Sequence, residues 1–224
     1  MPKCPFHLLK KSKIIWLANH LCKHGHSYAE HYNCYLTENP DENRVGYLDI
    51  ETSNLDADFG IMLAYCIKVE GEDTILGRHL LEEEALNKKQ PDKQLVKELI
   101  HDMSQFNLIY TYYGTGFDLK FIRTRAVSNH LPFPVFGSIS HKDVYYIIKN
   151  KFKLHRSGLE TACNELIGRT LKTHFDGNTW RHAVQGNQKA LGWILDHCQR
   201  DVKDLETLTH KVMDFANPNT TKSI

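Results

Sequence analysis

Residues 45–55 read VGYLDIETSNL, and no other stretch limits what this chain can fold into as strongly. Val45, Tyr47, Leu48 and Ile50 favour an extended strand, where alternate side chains share a face. Asp49 and Glu51 therefore point the same way. Two carboxylates that close repel, and burying either one unpaired is costly. The strand must stay solvated at this end, or the fold must bring positive charge to it.

Two other segments bear on the choice. YYGTGFDLKF sets Asp118 after a buried strand and at a helix start, and HCQRDVKDL sets Asp201 on the inner face of a late helix. His197 lies four residues before Asp201, one turn away on the same helical face. Taken singly, each acid reads as easily as a solvated strand or helix end. Together they point to a pair of divalent cations, because hard cations take oxygen ligands and neutralise carboxylates that otherwise repel. Two such ions are what phosphodiester hydrolysis uses.

From Val45 onward strand and helix signals alternate. Strands are predicted at 45–52, 60–69 and 106–113, with TILGRHL returning after the turn at Gly71. Helical spacing marks 94–104, 117–130, 141–152, 158–168 and a long terminal stretch, 188–215, open to a break in two. This pattern predicts an α/β fold with a mixed sheet. The polar linker TENPDENR separates an N-terminal segment, 1–43, from a domain at 44–215, and 216–224 is expected to be a flexible tail.

Asp-x-Glu on a first strand, Phe-Asp after a middle strand and a late x-x-x-Asp helix together resemble the DEDD superfamily of 3′–5′ exonucleases. The closer likeness is to the exonuclease group related to the proofreading domain of family B DNA polymerases. YLDIETSNL, GTGFDLKFIRTRA, HKDVYYIIKNKFKL, GLETACNELIG and ALGWILDHCQRDVKDLE carry it, over roughly 44–212. The resemblance implies a ribonuclease-H-like mixed five-stranded sheet flanked by helices, and 3′–5′ exonuclease activity with two Mg²⁺ or Mn²⁺ ions. It implies that Asp49, Glu51, Asp118 and Asp201 hold those ions. In such enzymes a Tyr or His near the last Asp orients or deprotonates the attacking water. His197 takes that place here, and an imidazole titrating near neutral pH suits a general base. Thr52, Ser53 and Leu55 are implied to touch the terminal nucleotide of a single-stranded 3′ end. Tyr113 stands where the middle motif often carries Asn, so contacts near the first ion differ in this chain. The alternatives are a non-catalytic nucleic-acid-binding module and an endonuclease on the same fold.

Basic and aromatic residues near the acids extend this reading. Lys120, Arg123 and Arg125 follow Asp118, KNKFKLHR spans 149–156, and Lys172, Trp180 and Arg181 fall in a loop-like stretch before the last helix. Bases track phosphates and aromatic rings stack on nucleobases, although any one of these segments alone reads as a solvated basic face. Asp143 is expected as a helix-start carboxylate and Asp204 as a solvated or supporting group.

The N-terminal segment raises separate chemistry. HLCKHGHSYAEHYNC packs four His and two Cys into residues 20–34. Cys22-x3-His26 and His31-x2-Cys34 can each chelate one ion, and four such ligands suit tetrahedral, structural Zn²⁺. His24 competes with His26, and Cys4 or His7 could substitute. The competing view is a His-rich surface with free thiols. A formal charge of +1 excludes recruitment of nucleic acid by a global positive field, leaving local patches. The chain has no apolar run of membrane-spanning length and no secretory pattern, so the expectation is a cytoplasmic protein with no membrane partner.

Overall fold

A computed structural model describes residues 11–39, 44–87, 89–173, 176–216 and 222–223. The elements run α1 (Lys11–Asn19), α2 (Tyr32–Glu38), β1 (Val45–Thr52), β2 (Met62–Val69), β3 (Ile75–His79), α3 (Glu82–Ala85), α4 (Lys93–Met103) and β4 (Leu108–Thr111). They continue with α5 (Asp118–Ser128), β5 (Ser140–Asp143), α6 (Val144–Lys151), α7 (Leu159–Ile167), α8 (Gly177–Val184), α9 (Gln188–Val212) and β6 (Lys222–Ser223). Cys4, His7 and most of the 216–224 segment lie outside the described residues.

The sheet order is β3-β2-β1-β4-β5-β6. β1 pairs antiparallel with β2 and parallel with β4, β4 pairs parallel with β5, and the outer pairs are antiparallel. Five strands thus form the expected mixed sheet. The two-residue β6, from the segment expected as a tail, extends it by one. β1 lies inside the sheet, so its alternation divides two cores. Leu48 and Ile50 pack with α4 and α5 through Leu95, Leu99, Leu119 and Ile122. Tyr47 packs on the opposite side with Tyr110, α7 and α9, through Cys163, Cys198, Val202 and Leu205. Each fully buried leucine of these layers stabilises the fold by about 1.5–3 kcal/mol relative to leaving it exposed. Asp49 and Glu51 share the Tyr47 face and so look toward α9.

Three elements differ from the sequence reading. The stretch from His141 begins as a strand, because the Asp143 carboxylate accepts from the Tyr145 amide and starts α6 only at Val144. Trp180 and Arg181 lie on a helix, α8, rather than in a loop, since Asp176 accepts from the Asn178 and Thr179 amides. α9 runs unbroken through 25 residues, with its apolar stripe facing the sheet throughout.

Candidate functional site

The acids of β1 meet α9 across a cleft of about 420 Å³ lined by Asp49, Glu51, Asp118, His197 and Asp201, with Leu55, Tyr113 and Lys172 at its walls. Each arrives by a different local device. A bulge between Glu51 and Thr52 breaks the β1–β2 register where the strand enters the cleft, a device that re-aims side chains at strand ends. Asp118 is the first residue of α5 and 4% exposed, so its carboxylate sits at the positive end of the helix dipole. Asp201 and His197 are neighbours one turn apart on the buried stripe of α9.

The turn ahead of Asp118 is built by its glycines and by Asp143. The Asp143 carboxylate accepts from the Tyr113 and Thr115 amides at 2.8 and 2.9 Å, which makes it structural as expected. Tyr113 adopts φ +67°, and its ring lies where a Cβ on Gly116 would stand, 2.3 Å from the nearest ring atom. Only glycine at 116 lets the Tyr113 ring fold back against the turn.

The cleft is short of positive charge. Burial, then the charges of Asp201 and Asp118, push the Asp49 carboxyl well above the ordinary carboxylate range. Burial and then Asp49 do the same to Glu51. Burial raises Asp118 to about 7, although the backbone amides of Asp118 and Ile50 oppose it. Asp49 Oδ2 and Asp201 Oδ1 are buried with no hydrogen-bond partner. Of the described residues lining the cleft, Lys172 is the one fixed cation. Its ammonium lies 2.6 Å from Asp201 Oδ2. Burial alone would lower that ammonium, but Asp201, Asp49 and Glu51 carry it above the ordinary lysine value. One ammonium against four carboxyls leaves acceptor atoms unmet, and oxygen donors so arranged fit hard divalent cations.

His197 is held on every side. Its Nδ1 is 2.5 Å from the Thr173 hydroxyl, and its ring stacks on Trp193 at 5.7 Å and 16°. Trp180 meets it edge-on and donates its indole N–H to the Thr52 carbonyl. Its Nε2 faces Glu51 at 3.8 Å and Asp201 at 4.0 Å. Burial lowers its pKa, which favours the neutral ring.

Some expected contacts lie elsewhere. Leu55, 79% exposed, and Tyr113, 45% exposed, stand at the cleft. The Thr52 and Ser53 hydroxyls are engaged inside the β1–β2 connection, with the Asn54 carbonyl and the Ile61 amide. Lys120 and Arg123 occupy the exposed side of α5, outside the lining, and Arg123 lies over Phe133. Arg125 turns inward to Asp92. Asp204 is fully buried rather than solvated and accepts from Thr170 Oγ1 and the Leu171 amide. In the N-terminal segment, Cys22, His24, His31 and Cys34 bring ligand atoms within 4.8 Å of one another. His24 takes the place in that set that the spacing gave first to His26, whose ring packs on His31 instead. Sequence reasoning missed Trp193, although Trp193, His197 and Asp201 repeat at four-residue steps on one helix.

A parallel-and-antiparallel sheet with acids converging from its central strand, a helix start and a terminal helix defines an α/β domain with an acidic cleft. Residues 46–213 match the family model of the RNase H superfamily, and the chain belongs to that superfamily. Its members generally hydrolyse nucleic acids. Among solved structures, the chain is similar to the family B DNA polymerase from the hyperthermophilic archaeon Pyrobaculum calidifontis, with TM-score 0.60 and 16% identity over 76% of this chain. The match spans 24% of that polymerase, so the likeness concerns the fold of one part of it. No curated protein matches the sequence. Among the described residues no helix is long and apolar enough to cross a membrane.

Proposed function

We propose that this chain is a metal-dependent 3′–5′ exonuclease acting on a single-stranded nucleic-acid end. The observation that carries the reading is the pair of buried, unpartnered oxygens, Asp49 Oδ2 and Asp201 Oδ1, in a cleft with four acids and one lysine. Asp49, Glu51, Asp118 and Asp201 would hold two Mg²⁺ or Mn²⁺ ions. When bound, the ions supply Lewis-acid polarisation of the phosphodiester and stabilise charge on the attacking and leaving oxygens.

The protein's own groups do the rest. Leu55 and Tyr113 offer apolar surface for the terminal sugar and base. The Thr173 hydroxyl fixes His197 Nδ1, while Trp193 and Trp180 fix the ring plane. Nε2 is thereby aimed into the cleft, where a neutral imidazole can take a proton from the attacking water. The Lys172 ammonium adds positive charge beside Asp201, where phosphate oxygens would approach.

The test is incubation with 5′-labelled single strands of DNA and RNA, each with a free or a blocked 3′ end, in Mn²⁺. A ladder shortening from the free 3′ end is expected, with none from the blocked end. Cleavage of the blocked strand would make the chain an endonuclease. Binding without turnover would make it a non-catalytic nucleic-acid-binding module.

A further inference from the structure

We infer that Cys22, His24, His31 and Cys34 form a tetrahedral zinc site that holds the N-terminal module together and seats it against the starts of β4 and β5. The site shares no residue with the carboxylate cleft.

The ligand geometry carries the inference. Cys22 Sγ lies 3.9 Å from His24 Nδ1 and 3.8 Å from His31 Nδ1. Cys34 Sγ lies 3.3 Å from His24 Nδ1 and 3.9 Å from His31 Nδ1. With Zn–S near 2.3 Å and Zn–N near 2.0–2.1 Å, a tetrahedron has S–N edges of about 3.6 Å. All four contacts fall around that length. Hydrogen bonding cannot account for them. Each Nδ1 offers one proton or one in-plane lone pair, so each can serve only one of its two sulfur neighbours. At most two of the four contacts can be hydrogen bonds, whereas one cation satisfies all four atoms.

The local backbone is arranged to the same end. Gly25, at φ +78°, closes a turn in which the Gly25 amide donates to the Cys22 carbonyl and the Cys22 amide donates to the His26 carbonyl. That turn puts Cys22 and His24 on one side. His31 stands at the N-cap position of α2 and Cys34 follows in its first turn, the Cys34 amide donating to the His31 carbonyl. His26 lies past the turn with its ring against His31, which leaves His24 as the ligand.

The module has little else to hold it. Its buried core is Leu17, Tyr32, Tyr35 and Leu36. A core of that size does not offset the entropy of ordering the segment, and small domains of this kind depend on metals or disulfides. The five described cysteines are free thiols, so no disulfide among them supplies the link. α2 in turn meets the sheet: Tyr32 Oη accepts from Asn107 Nδ2 at 3.4 Å, and Leu36 and Thr37 face Leu108 and Ser140. An ion at the start of α2 therefore fixes both the module and its seat on β4 and β5.

Metal analysis of the full chain carrying Asp49→Ala, which disables the carboxylate cleft, should find one tightly held zinc per chain. Reconstitution with Co²⁺ should give the visible absorption of a tetrahedral site and a thiolate-to-cobalt charge-transfer band. His24→Asn should weaken zinc binding by more than the roughly 10- to 100-fold typical of groups that merely orient ligands, while His26→Asn should leave it unchanged. Absence of bound zinc, or of the charge-transfer band in the otherwise unaltered chain, overturns the site whether or not the variants fold. Loss of zinc in His26→Asn with retention in His24→Asn overturns the ligand set. Neither result depends on whether the cleft hydrolyses nucleic acid.

Discussion

Two groups of buried carboxylates in this molecule look alike in the sequence and differ in their surroundings. Asp92 is fully buried at the start of α4 and has every acceptor met. Its Oδ1 accepts from Arg125 Nη2 at 2.7 Å and Asn129 Nδ2 at 3.1 Å. Its Oδ2 accepts from Arg125 Nε at 2.8 Å and the Met62 amide at 2.9 Å. This carboxylate clamps α4, α5 and β2 together. Asp49 and Asp201, in the cleft, each keep a buried oxygen with no donor. A structural acid finds most of its donors within the chain, although Asp204, held through Oδ2 by Thr170 and Leu171, also keeps Oδ1 unmet. Asp49 and Asp201 differ from Asp204 in lining a cleft that gathers four acids, and that setting supports the proposed cation site.

The comparison can be broken most directly at Asp49. Asp49→Asn keeps the shape and removes one charge from a repelling set. We expect Mn²⁺-dependent hydrolysis to fall by more than the roughly 10- to 100-fold typical of groups that merely orient metal ligands. The metal-free urea midpoint should stay level or rise, because like-charge repulsion is relieved. A sharp fall in that midpoint with hydrolysis intact would make Asp49 a structural acid like Asp92. The converse test is Asp92→Ala, which leaves the Arg125 guanidinium buried and unpaired. It should cost about 3–5 kcal/mol of stability, read from urea unfolding. Turnover per folded molecule should hardly change. Next in size is Thr173→Val, which takes the hydroxyl from His197 Nδ1. A loss of about 10- to 100-fold in kcat is expected with KM and metal affinity unmoved. An equal loss in KM would place Thr173 on the substrate rather than on the imidazole.

How much of this could be read from the chain follows the same division. The four acids were legible because each lies within or at the start of a strongly patterned element, and their order along the chain carried the resemblance. The sheet was legible for the same reason, through the alternation of β1 and the apolar run of β2. Asp92 was not, because Pro91-Asp92 before a helix reads as an ordinary turn and cap. Its carboxylate caps nothing and reaches instead to Arg125, 33 residues on, a pairing no local pattern encodes. Lys172 was read as a phosphate tracker because the loop around it has no period, and only the fold brings it to Asp201. α8 was hidden by the glycine and asparagine of DGNTW, which read as loop, although Asp176 three residues before Thr179 is a helix-start signal. In the N-terminal module the spacing picked out Cys22, His31 and Cys34, which the fold brings together, and left His24 and His26 open, since only the turn at Gly25 decides which ring faces the thiols.

Lys172 offers the smallest and most discriminating prediction. If the cleft is built for ions from outside, its single ammonium is a partial counter-charge that holds the metal-free state together and becomes redundant once divalent cations bind. Lys172→Met keeps most of the aliphatic stem and removes the charge. The side chain is 30% exposed, so solvent screens the pair, and the metal-free protein should lose only about 1 kcal/mol. Saturating Mg²⁺ should then raise the unfolding midpoint of the variant more than that of the parent, narrowing the gap between them. In a structural pair of the Asp92–Arg125 kind, Mg²⁺ would shift both proteins equally and the gap would persist. Thermal unfolding of the two chains with and without Mg²⁺ therefore distinguishes a lysine that keeps a place for cations from one that merely closes a salt bridge.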